Sequence, residues 1–297
     1  MEYRVFGKTD MKVSALGFGG AEIGGSTDSG AVEQLLGSAL DAGLNLIDTA
    51  ACYGNSEELI GQAVAHRRKD YYLFSKCGHA SGLATQDWDP KTLVDSIDRS
   101  LKRLRTDYLD LIQLHSCSLD ILKQGDVIEV VQKAKEAGKV RYIGYSGDNE
   151  AALYAVQSGA FDSLQTSINV ADQSVLDKVL PEAKARQMGV IAKRPIANVA
   201  WQHQTIDENA YYAPYWHRLQ ALKYGFTNQS AAQSVATALR FTLSSPGVTT
   251  AIVGTTNPNR WQQNASLLDE GNLSDAEYQT IRSRWHEIAQ PDWVGQT

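Results

Sequence analysis

The hydropathy pattern of this chain changes period with a regularity that leaves few folds open. Short apolar runs fall at 14–18 (VSALG), 44–49 (LNLIDT), 71–76 (YYLFSK), 108–115 (YLDLIQLH), 140–146 (VRYIGYS), 163–168 (SLQTSI), 189–195 (GVIAKRP) and 248–254 (VTTAIVG). Amphipathic stretches with helical spacing follow them, at about 30–42, 56–66, 90–104, 126–138, 149–158, 174–187, 230–244 and 258–268. Strands that read as almost continuous apolar runs belong in a parallel sheet covered by helices. Eight repeats of the unit predict a closed (β/α)8 barrel rather than an open doubly wound sheet. The punctuation agrees. Asp89-Pro90 supplies an N-cap and a first-turn proline for the third helix, while Gly138 and Gly159 close the fourth and fifth.

Three pieces lie outside the repeats. Residues 2–13 (EYRVFGKTDMKV) read as a hairpin turning at Lys8-Thr9-Asp10, placed to plug the bottom of the barrel. Residues 203–228 form a polar insertion after the seventh strand, rich in Tyr and His, and 274–287 reads as a terminal helix capped by Ser274. No Pro/Gly/Ser-rich linker divides the chain, so 1–297 is expected to form one barrel domain. Its 43% hydrophobic content suits one large core.

Composition narrows the function. A net charge of -6 and a pI near 5.5 argue against a nucleic-acid footprint. Three cysteines are too few for a disulfide framework. The start, Met1-Glu2-Tyr3-Arg4, leads into no apolar run, and nowhere do 18 apolar residues stand together. Neither a signal peptide nor a membrane helix is expected, and a cytoplasmic location is. The Asn-x-Ser triplets at Asn228, Asn264 and Asn272 read as chance.

Several familiar motifs fail. Gly17-Phe18-Gly19-Gly20 resembles a dinucleotide fingerprint, but Glu22 stands where the last glycine belongs; Gly7-Lys8-Thr9 resembles a phosphate loop, but Glu2 replaces its first glycine. Metalloprotease, paired Cys-x-x-Cys and nucleophile-elbow signatures do not occur, and no metal site is expected. What remains is a set of polar residues at the C-terminal ends of strands, where barrel enzymes place their chemistry. The second strand ends in Asp48 with Tyr53 in the following loop, the third ends in Lys76 and the fourth in His115. Each alone has an ordinary structural reading. On adjacent strands at equivalent depth, an acid, a phenol, an ammonium and an imidazole would converge in one pocket.

With these residues in view, the chain resembles the aldo-keto reductase superfamily. The likeness runs through YRVFGKTDMKVSALGFGG, DAGLNLIDTAACYGNSEELIG, FSKCG, LDLIQLH and AIVGTTNPNRWQQN. The second segment is the most specific, since Asp48, Tyr53, Gly54 and Glu57 keep the family's spacing. The resemblance implies the catalytic tetrad Asp48, Tyr53, Lys76 and His115, and a nicotinamide cofactor bound without a Rossmann domain.

A carbonyl accepting hydride gathers negative charge on oxygen and needs a proton there. Tyr53 is the natural donor, but a free phenol titrates near about 10 and is a sluggish acid at neutral pH. Lys76 is expected to lower that value, Asp48 to keep the lysine charged and oriented, and His115 to orient the substrate oxygen. The cofactor carries the hydride.

The resemblance places cofactor contacts at Gly20, Asp48, Ser146, Gln165, Lys193, Pro195, Gly254, Thr255, Arg260 and Asn264. Ser146 and Gln165 would hold the nicotinamide carboxamide. The family's asparagine after that serine is Gly147 here, so one amide contact is either missing or supplied by Asp148 or Asn149. Lys193 replaces the usual stacking aromatic, its stem covering the ring and its head turned to solvent or phosphate. A helix starting at Pro258 offers an anion site beside Thr255, with Arg260 against a 2′-phosphate. This implies NADP(H), with NAD(H) use also open.

The implied substrate is a small carbonyl compound or a sugar. Reduction of aldehydes and ketones is the first reading; sugar oxidation or a non-catalytic cofactor-sensing module are its alternatives. His203, Tyr211, Tyr212, Tyr215, Trp216 and His217 either line a polar pocket or pack the insertion onto the barrel. Cys52, Cys77 and Cys117 all fall near the expected catalytic mouth, with Cys77 pointing away from Lys76. Cys52 or Cys117 is expected to lie beside Lys76 as a partly exposed thiol with raised thiolate fraction.

Overall fold

The computed structural model describes residues 1–25 and 28–296. A short antiparallel hairpin comes first, strand β1 (Tyr3–Val5) paired with β2 (Lys12–Ser14). Eight strands then close a barrel: β3 (Leu16–Gly19), β4 (Leu46–Asp48), β5 (Tyr72–Cys77), β6 (Leu109–His115), β7 (Val140–Ser146), β8 (Ser163–Ser167), β9 (Gly189–Lys193) and β10 (Thr250–Val253). Neighbours pair in parallel throughout, and β10 closes on β3.

Helices α1 (Ser29–Asp41), α2 (Ser56–Val64) and α3 (Pro90–Leu104) cover the first strands, and each expected repeat is present. Asp89 accepts from the Lys91 amide at 2.8 Å with Pro90 inside the first turn. The loop after β6 holds a helix that the periodicity did not announce, α4 (Leu119–Gln124), before α5 (Asp126–Glu136). It is one short turn with only Leu122 buried, too little apolar surface to leave a pattern. Next come α6 (Asn149–Ser158) and α7 (Ser174–Ala185). The insertion contains α8 (Ala213–Leu222), and α9 (Ala231–Ser244), α10 (Arg260–Ser266) and α11 (Asp275–Ile288) complete the chain. Ser274 caps α11 in a reciprocal box with Glu277. The α10 helix begins at Arg260 rather than Pro258, because the Asn257 and Asn259 amides are held in side-chain turns at Thr255 and Asn257.

The hairpin does plug the barrel. Phe6, Met11 and Val13 are fully buried against Leu46, Phe74, Leu111 and Ile191, which point inward from the strands. The Phe6 and Phe74 rings lie 5.4 Å apart. Gly7 has a left-handed φ of +58°, and any side chain there would meet the Gly189 amide nitrogen at 2.4 Å. With that end filled, the open end is the one where the strands finish. A second apolar layer lies between barrel and helices, and a third joins α8, α9 and α11 through Tyr215, Leu222, Phe241 and Trp285. Among the described residues no helix is long and apolar enough to cross a membrane.

Candidate active site

Strand register sets the depth of the site. His115 stands opposite Ser146, and Ser146 opposite Gln165, so β6, β7 and β8 present them in one row. Lys76 stands opposite Gln113 in the same way. Alternation turns Gln113 and His115 inward together, two residues apart on one strand.

Asp48 lies at the centre. It pairs with Lys76 Nζ through one oxygen, and its other oxygen accepts from Gln113 Nε2 at 3.0 Å and Gln165 Nε2 at 2.9 Å. Lys76 Nζ also donates to the Thr49 carbonyl at 2.9 Å. Burial pushes this lysine toward the neutral amine, but Asp48 and Tyr53 more than reverse it, and the ammonium is held above its ordinary range. Gln113 was missing from the sequence-based site; its parity with His115 was the available signal.

Tyr53 sits on a loop tied down at several points. Its amide donates to the Ala50 carbonyl, the Ala51 amide reaches the Lys76 carbonyl, and Arg103 donates to the Ala51 carbonyl. Buried Glu57 anchors the start of α2 by accepting from Ser75 Oγ at 2.7 Å, with Arg103 3.6 Å away. Lys76 Nζ is 4.9 Å from the Tyr53 ring centroid, and Tyr53 Oη is 3.4 Å from His115 Nε2. Here the expected charge logic needs correction. Burial raises the phenol's pKa; Lys76 lowers it as expected, but with Asp48 adding to the upward push the phenol stands above its ordinary value. His115 is held well below its usual value by burial and by Lys76, His79, Lys193 and Arg194, so its ring is neutral.

Above this cluster opens a cavity of about 370 Å³. Gly19, Tyr53, Gln165, Lys193, Pro195 and Gly254 line it from the barrel, and Tyr211 and Tyr212 from the insertion. Four expected cofactor residues therefore share the cavity. Asp48 and Ser146 lie buried beneath it, and Ser146 Oγ donates to Gln165 Oε1 at 3.1 Å. Gly20 is buried, its amide donating to the Asp48 carbonyl at 2.7 Å. Thr255 and Arg260 lie outside the lining, Arg260 exposed; Asn264 is buried in α10.

Several expectations are corrected. Lys193 does not turn its head to solvent; Nζ lies 2.7 Å from Asp148 Oδ2, a carboxylate held below its usual range as Lys193 and Arg194 outweigh burial. Asp148 also accepts from Thr166 and Ser167, and Asn149 is taken up by Gly295, so neither offers a free amide contact. The insertion divides its aromatics: Tyr211 and Tyr212 face the cavity, whereas Tyr215 is fully buried and accepted by Asp172. Trp216 is half-buried and donates to the His203 carbonyl, His203 stacks on Tyr212, and exposed His217 pairs with Glu208. The thiols are not activated. Burial raises Cys52 despite Lys76, and raises Cys117 to about 12. Because β6 ends at His115, Cys117 leaves the strand and packs into the core, as does Cys77. Among the described residues no three His, Cys, Asp or Glu side chains cluster as metal ligands.

The model of the Aldo/keto reductase family matches residues 15–286. The chain belongs to this family. It is 28% identical to L-galactose dehydrogenase of Arabidopsis thaliana, over 91% of this chain and 89% of that protein. It is 28% identical to an NADH-specific methylglyoxal reductase of Escherichia coli, over 63% and 64% of the two chains. Among solved structures, the holo form of aldo-keto reductase AKR11C1 from Bacillus halodurans superposes with a TM-score of 0.84 at 25% identity, covering 99% of both chains. The chain is accordingly an oxidoreductase of a family that works with nicotinamide cofactors.

Proposed function

We propose that this protein reduces small aldehydes or ketones with a nicotinamide cofactor, Tyr53 giving the proton to the carbonyl oxygen. The carrying observation is the meeting of Tyr53 Oη, neutral His115 Nε2 and the buried Lys76–Asp48 pair directly beneath the cavity. The cavity suits the nicotinamide end. Ser146 and Gln165 form a polar floor, and a side chain at Gly254 would clash with Glu22, so the cradle stays bare. When bound, the cofactor supplies the hydride. Gln165 and Ser146 would hold its carboxamide, with Lys193, Pro195 and Gly254 forming the walls.

The chain's own part is proton chemistry and positioning. His115 donates to the carbonyl oxygen and fixes its place. Tyr53 then passes its proton to that oxygen as charge develops, and the Lys76 ammonium stabilises the phenolate left behind. Asp48 keeps Lys76 charged, with Gln113 and Gln165 fixing the carboxylate. Burial around the phenol makes that ammonium more necessary, since a desolvated phenolate has few other sources of stabilisation.

Arg260 and Thr255 favour NADP(H), by the family likeness of their positions. A second reading, oxidation of a sugar, draws support from Tyr211 and Tyr212, which offer hydroxyls and ring faces at the cavity wall. Turnover of aldehydes and of free sugars in both directions separates the two. Tyr53→Phe is expected to lower carbonyl reduction by about 10²–10⁴-fold with cofactor affinity unchanged, because only the donor is lost. Turnover equal to the parent would remove Tyr53 from that role.

A further inference from the structure

Cys52 touches the edge of His115 that faces away from the phenol. Its Sγ lies 3.2 Å from His115 Nδ1, while Nε2 on the opposite side of the ring lies 3.4 Å from Tyr53 Oη. A neutral imidazole carries a single N–H, so the partner of one nitrogen decides what the other can do. Burial keeps Cys52 a thiol, with its S–H intact. Sulfur is a weak acceptor, whereas an unprotonated ring nitrogen readily accepts, so the favourable arrangement is S–H donating to Nδ1. His79 does not compete: its ring meets His115 edge-on at 5.4 Å and its Nδ1 is taken by Asp87 at 2.8 Å.

We propose that Cys52 is a positioning residue which, by donating its S–H to His115 Nδ1, holds the imidazole proton on Nε2, facing the substrate oxygen. In this tautomer Nε2 can only donate. The Tyr53 oxygen accepts from it or yields its place to the substrate, and the phenol's own proton stays free for the carbonyl. In the other tautomer Nε2 would accept the phenol's hydrogen bond and withhold the proton donor from the reaction. The inference rests on the reading of His115 as a donor to substrate oxygen, but the tautomer belongs to the resting protein and is measurable without turnover.

The test is ¹⁵N NMR of the full chain with labelled histidine, the His115 signals being assigned by their loss in His115→Gln. The parent is expected to show the Nε2–H tautomer alone. Cys52→Ser, which keeps a donor, should show the same. Cys52→Ala should give a mixture of tautomers, with kcat lowered about tenfold and cofactor affinity unchanged, and Cys52→Ser should recover the loss. Cys52→Val, which fills the space without a donor, should behave as Cys52→Ala and serves if the smaller side chain loosens the loop. An Nδ1–H signal in the parent, or unchanged Nε2–H in both donor-free variants, would overturn the proposal. These outcomes stand even if no carbonyl is turned over, so failure of the tautomer and failure of the reductase reading are distinguishable.

Discussion

Lys76 is only 1% exposed yet stays charged, because Asp48 and the Thr49 carbonyl replace the water it gave up. Removing one member of such a pair strands the other. Lys76→Met should leave Asp48 with Gln113 and Gln165 as its remaining partners, lowering stability by about 3–5 kcal/mol and nearly abolishing turnover. Denaturant unfolding and a rate assay measure the two losses separately. Asp172 shows the opposite balance. Burial and the nearby Asp148 raise its carboxyl to about 7, although Arg218, Tyr215 and the Gln296 amide favour the anion. An acid raised on folding contributes stability that is complete below its unfolded pKa, near about 4, and lost as pH climbs through about 7. Within that window the slope attributable to Asp172 approaches about 1.4 kcal/mol per pH unit. Asp172→Asn should flatten the stability–pH curve there; parallel curves for the two proteins would show that Asp172 does not titrate in this range.

Among the elements, the N-terminal hairpin has the largest structural duty for its size. Phe6 fills the bottom of the barrel against Phe74, and Gly189 leaves it no slack: a side chain there would meet the Phe6 ring at 2.4 Å. Phe6→Ala should open a cavity at the end opposite the site and cost about 3–5 kcal/mol. Cofactor affinity of the folded fraction should change little, and thermal melts with cofactor titration check both. The segment after β9 follows another logic. Arg194, Ala197, Asn198 and Val199 all hold left-handed φ values between +46° and +55°, uncommon for residues with side chains. That backbone course carries Asn198 and Val199 onto the cavity wall, where a regular helix would have carried the chain away. No hydropathy period reports such a turn, because a run of left-handed residues follows neither the helical nor the strand repeat.

The whole molecule is acidic, with a net charge of -6, yet its cavity is lined by Lys193 and Arg194 with Asp148 between them. Glu22 shares that lining, so the cavity mixes acidic and basic side chains rather than presenting a field of one sign. Arg260, exposed at the start of α10, is the charge the family likeness sets against a 2′-phosphate. Arg260→Ala should weaken NADPH binding by about tenfold or more and leave NADH nearly untouched, since only the former offers a phosphate for a charge-assisted contact. Equal weakening, by fluorescence titration, would remove Arg260 from that role. The sequence by itself determined the eight repeats, the hairpin plug, the terminal helix, and the inward residues at the strand ends. Those follow from backbone periods of 2 and 3.6 and from caps, which act within a few residues. Barrel closure decided the rest. It brought Gln113 and Gln165 onto one Asp48 oxygen, set Cys52 against His115 across 63 positions, turned Lys193 to Asp148, and packed enough protein around the Tyr53 phenol to outweigh its lysine. Charge pairing and desolvation depend on distances across the barrel, and no local pattern along the chain encodes those distances.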